Sequence, residues 1–102
     1  MKHELMEIKA EIIETLEKLH SFFEKHNVIG WPQRTKKVIQ QIQAGHDSKV
    51  ALNDFVGVGM GSLIDLYICA DNGHYLTESE DETNKQFETL STEILTIKDA
   101  LR

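Results

Sequence analysis

Near the N-terminus, Leu5, Ile8, Ile12, Leu16, Leu19, Phe22 and Phe23 recur at steps of three and four residues. That is the period at which an α-helix presents one face. The first segment therefore reads as one amphipathic helix from about Lys2 to His26, whose apolar stripe the rest of the chain has to cover. Glu14 and Lys18 form an i,i+4 pair on its solvent side. Asn27, Gly30, Trp31 and Pro32 end it, and proline fits the first turn of the next helix, where its missing N–H costs nothing.

The second helix is expected from about Pro32 to Ala44, with Trp31, Val38, Ile39 and Ile42 as its buried side and Gly45 as a left-handed C-terminal cap. Asp47 is placed to N-cap a short third helix through Val50, Ala51, Phe55 and Val56. After the glycines the period changes. Leu66, Tyr67, Ile68 and Cys69 are apolar or aromatic, and Asp71-Asn72-Gly73-His74 is a type I′ turn signal. A hairpin of Ile64 to Asp71 and His74 to Thr77 is the expected outcome, with a helical Ser62 to Ala70 as the rival. Ser79 and Glu82 have capping-box spacing for a last helix carrying Phe87, Leu90, Ile94, Ile97 and Leu101. Its first turn is acidic and its end holds Lys98 and Arg102, as the helix dipole favours. The expected fold is mainly α: residues 1–102 as a single domain of four helices, with a short hairpin between the third and fourth.

Several function classes fall away on charge and composition. No apolar run approaches the roughly 20 residues that span a bilayer, and MKHELMEIKAE is interrupted by charge too often to resemble a signal peptide. A single cysteine, Cys69, allows no intramolecular disulfide, so the cytoplasm is the expected compartment. The formal net charge of -6 opposes non-specific nucleic-acid binding, which depends on neutralising phosphates. Asp71, Glu78, Glu80, Asp81, Glu82 and Glu88 lie close together in sequence against Lys85 alone, while Arg34, Lys36 and Lys37 make the main positive cluster. A chain polarised in this way favours a basic partner, although acidic residues also serve solubility.

The stretch GVGMGSLID, Gly57 to Asp65, invites a ligand. It lacks the lysine of a Walker loop, and its G-x-G-x-G lies between a helix and an expected strand, the reverse of a dinucleotide fingerprint. A bent connection explains it better. Gly59 and Gly61 permit a sharp turn, Ser62 and Asp65 can bond freed amides, and Met60 can fill a core gap. His3, His20, His26, His46 and His74 include no i,i+4 pair, so surface or partly satisfied histidines are expected and no metal or cofactor. ESEDE lacks the spacing of a calcium loop, and Ser62 is not in a nucleophile elbow. Cys69 in an apolar run is expected to be inert, and Asp54 and Asp65 flank the glycines as conceivable acid–base partners.

Gly59-Met60-Gly61-Ser62-Leu63 followed by Asp65-Leu66 resembles the G-M-G-S-x-x-D-L signature of a family of small bacterial proteins. Those proteins are similar in outline, with a long N-terminal helix, a tryptophan before the second helix and a helix at the C-terminus. Ile64 departs from the pattern at a position where a polar residue is expected. Small acidic proteins of this type resemble immunity proteins encoded beside bacterial toxins. The resemblance implies a non-catalytic binding protein that neutralises a toxin, and the charge distribution makes Asp71, Glu78, Glu80, Asp81 and Glu82 the expected surface for a basic toxin domain. The alternative is a small enzyme or ligand-binding protein whose site is Gly59, Met60, Gly61, Ser62 and Asp65.

Overall fold

The computed structural model describes residues 2–57, 63, 66, 68, 74, 76 and 78–101, and of residues 2–7 the backbone alone. Four helices occur among the described residues: α1 (Lys2–Lys25), α2 (Trp31–Gln43), α3 (Ser48–Val56) and α4 (Glu80–Ala100). Each junction follows from its local residues. At the end of α1, Asn27 takes a positive φ of 53°. The Val28 N–H then donates to the Phe23 carbonyl (3.0 Å) and the Asn27 N–H to that of Glu24 (3.2 Å), a Schellman closure. α2 ends in the same way: Gly45 has φ 95°, and His46 and Gly45 donate to Gln41 (3.0 Å) and Ile42 (3.1 Å). The Asp47 carboxylate accepts from the Val50 N–H at 3.0 Å and opens α3. Ser79 Oγ accepts from the Glu82 N–H at 3.2 Å and opens α4.

α1 is the central helix. It packs on α2 along one side and on α4 along another, and α3 closes against α2 and α4. Ile12, Leu16, Leu19 and Phe23 are fully buried, whereas Ile8, on the same stripe, remains 36% exposed. Aromatic rings join the helices where they meet. The Phe23 ring centroid lies 5.4 Å from that of Trp31 and 5.9 Å from that of Phe87, and Trp31 meets Phe55 edge-on at 5.7 Å. The Arg34 guanidinium covers the Trp31 ring at 4.5 Å and donates from Nη2 to the Asp54 carbonyl at 3.1 Å, which holds α2 to α3. In α4 the buried stripe runs through Phe87 and Ile94, while Leu90, Ile97 and Leu101 are half-buried. Lys49 Nζ donates to the Leu101 carbonyl at 3.1 Å, fastening the end of α4 beside α3.

The hairpin expected between α3 and α4 is not seen. Its described residues Leu66, Ile68, His74 and Leu76 belong to no strand, and Leu63, Leu66 and Ile68, the described residues of the rival helical span, belong to no helix either. The remainder of Ile64–Asp71 and His74–Thr77 lies outside the described residues. The physical reason is visible at Ile68. Its N–H donates to Asn84 Oδ1 (2.8 Å) and its carbonyl accepts from Asn84 Nδ2 (2.7 Å). One carboxamide on α4 thus supplies the donor and acceptor that a neighbouring strand would have offered. Asn84 Nδ2 also donates to the Glu80 carbonyl at 2.9 Å, which fixes the orientation of the amide. Leu63 and Ile68 are fully buried, so both belong to the core although neither lies in a helix or strand.

Candidate functional site

The expected acidic surface divides in two. Glu80, Asp81 and Glu82 form the first turn of α4, with Glu78 just before it. Glu78, Asp81 and Glu82 are exposed, whereas Glu80 is half-buried. Four near-consecutive carboxylates at a helix start are held there by the dipole and by the Ser79 cap. Gln86 Nε2 donates to Glu78 Oε2 at 2.8 Å, laying the Glu78 carboxylate back along α4. Asp71, the other residue expected here, lies outside the described residues. So do Gly59, Met60, Gly61, Ser62 and Asp65, the residues expected to form the alternative ligand site.

The positive cluster is also divided by structure. Lys36 and Lys37 are exposed on α2, but Arg34 is half-buried and engaged by Trp31 and the Asp54 carbonyl. Asp54, one of the two conceivable acid–base carboxylates, is exposed. Among the described residues no group of three His, Cys, Asp or Glu side chains is disposed to hold a metal ion. No described helix is long and apolar enough to cross a membrane.

Two residues of consequence carry no signal in the sequence. Asn84 is one: asparagine is a poor helix former because its amide competes for backbone groups, and that mild misfit inside α4 is the trace of its contact with Ile68. The other is His26, expected at the surface or partly satisfied and only 1% exposed, with its ring 4.5 Å from that of Phe22. Its position at the end of a helix, beyond the last turn, gave no hint of burial. His74 comes close enough to His26 to feel its charge. Burial first, and repulsion from His26 second, hold the His74 imidazole below the ordinary 6.5.

This has a definite sign. A histidine whose folded pKa is lowered binds its proton more readily in the unfolded chain. Stability is therefore full above the unfolded value of 6.5, declines as pH falls below it, and levels off under the folded pKa. Urea unfolding of wild type and His74→Gln at about pH 7.5 and about pH 5.5 should show a smaller acid-side loss in the variant. Equal losses would mean that His74 titrates as it does in the unfolded chain.

No protein family, curated protein or solved structure matches this chain.

Proposed function

We propose that this chain is a non-catalytic binding module for a basic protein, acting in the bacterial cytoplasm as an immunity protein that neutralises a toxin domain. The reading is supported by one observation above the rest: Glu78, Asp81 and Glu82 stand in solvent around the first turn of α4, on a chain of net charge -6. Exposed like charges raise the potential around a surface and speed the approach of an oppositely charged partner. Asp81 and Glu82 are the residues on which the reading rests most heavily, since Glu80 is half-buried beneath them.

The test starts from co-expression with the product of the neighbouring gene, followed by association kinetics across a range of ionic strength. Asp81→Lys/Glu82→Lys reverses both exposed charges. It should slow association by about tenfold or more at low salt and flatten its salt dependence. The opposed helix dipole should cost only about 0.3–1 kcal/mol per position, so circular dichroism should still report a folded helical protein. An unchanged association rate removes this surface from the interface. If no protein partner is found, the immunity reading fails.

A further inference from the structure

The exposed ridge of α4 separates two grooves. On one flank, between α4 and α1, a groove of about 530 Å³ is lined by Glu11, Lys85, Glu88 and Glu93, by three threonines of α4 and by Ile97. On the other flank, a groove of about 380 Å³ is lined by Leu63, Leu66, Phe87 and Leu95. Glu88 and Thr92, one helical turn apart, line both. The two grooves are therefore the two sides of a single ridge.

We infer that this ridge is the seat of an amphipathic helix of the basic partner, laid across Glu88 and Thr92 with apolar side chains entering the groove of Leu63, Leu66, Phe87 and Leu95 and basic ones over the carboxylates of the other. This rests on the basic-protein reading above and adds where and in what form the partner docks. Ridge-and-groove complementarity is how helices pack on one another, and apolar anchors at i, i+3 and i+4 are how a helix fills a groove. The sign of the rim selects the occupant. Three carboxylates, Glu11, Glu88 and Glu93, face one ammonium, Lys85, so the flanking residues of the incoming helix have to be Lys or Arg.

A second copy of the chain fits less well. Its basic helix is α2, but of the apolar residues of α2, Trp31, Val38 and Ile42 are buried in its own core and Ile39 is half-buried against it. α2 can offer charge to the ridge but no apolar stripe to the groove.

The probe is a synthetic amphipathic helix of leucine and lysine, compared with a scrambled peptide of the same composition by fluorescence anisotropy on the full chain. The periodic peptide should bind at least about tenfold more tightly than the scrambled one, because only it presents an apolar face. Glu88→Lys/Glu93→Lys and, separately, Thr92→Trp should each weaken it by a similar factor, with circular dichroism unchanged. Equal binding of both peptides, or indifference to both variants, overturns the proposal. Concentration-dependent dimerisation abolished by Thr92→Trp would also overturn it, in favour of a second copy. Should the natural partner lose its fast association in Asp81→Lys/Glu82→Lys but bind the ridge variants as wild type, the basic-protein reading survives and the ridge is excluded.

Discussion

Phe23→Ala is expected to destabilise the protein by about 3–5 kcal/mol, the range for emptying a fully buried aromatic site. Phe23 has no exposed surface and lies within 6.0 Å, ring to ring, of Phe22, Trp31 and Phe87. Those neighbours come from α1, α2 and α4, so no single helix can shift to refill the space without losing contact with the others. Ile8→Ala is the internal comparison, because Ile8 shares the stripe but is 36% exposed. It should cost under about 1 kcal/mol. Urea unfolding with an unchanged m-value would measure both. A loss below about 1 kcal/mol at Phe23 would mean that the aromatic junction does not hold the helices together.

Asn84→Leu keeps much of the side-chain volume but removes both bonds to Ile68, and should cost about 2–4 kcal/mol. The Ile68 N–H and carbonyl are left beside an apolar side chain, and each unsatisfied buried group costs about 1–3 kcal/mol. The value stays below the full sum because the contact is part-buried and water can reach some of it. Asn84→Asp separates the two halves of the interaction. It keeps the acceptor for the Ile68 N–H but turns a carboxylate oxygen toward the Ile68 carbonyl, so it should be no better tolerated than leucine. Thermal and urea unfolding of the two variants would decide the matter. Wild-type stability in Asn84→Leu would show that the amide is incidental to the placing of this segment.

The helices were legible because their signals are local. Asp47, Ser79 and Gly45 act within a turn of themselves, and each does in space what its sequence position suggests. The Phe22–Phe23 end of the first stripe and Phe87 and Ile94 of the last follow from helical period alone. Leu52, fully buried in α3, was missed because a helix of nine residues offers too few turns to define a face. The segment before α4 was misread for a different reason. Asp71-Asn72-Gly73-His74 is a local turn signal, but a strand also needs a ladder, and at Ile68 the partner is a side chain 16 residues away. No pattern of period two can encode that. The acidic surface was half legible: sequence proximity gave Glu78, Asp81 and Glu82, but only packing distinguishes them from the half-buried Glu80.

The carboxamide of Asn84 also couples Ile68 to the opening of α4. The amide that meets Ile68 is oriented by the first turns of the helix, where Nδ2 also donates to the Glu80 carbonyl. In hydrogen exchange, the Ile68 amide should therefore open together with those turns, because its acceptor leaves with them when they unwind. A residue outside every helix thereby becomes a reporter of when one of them comes apart.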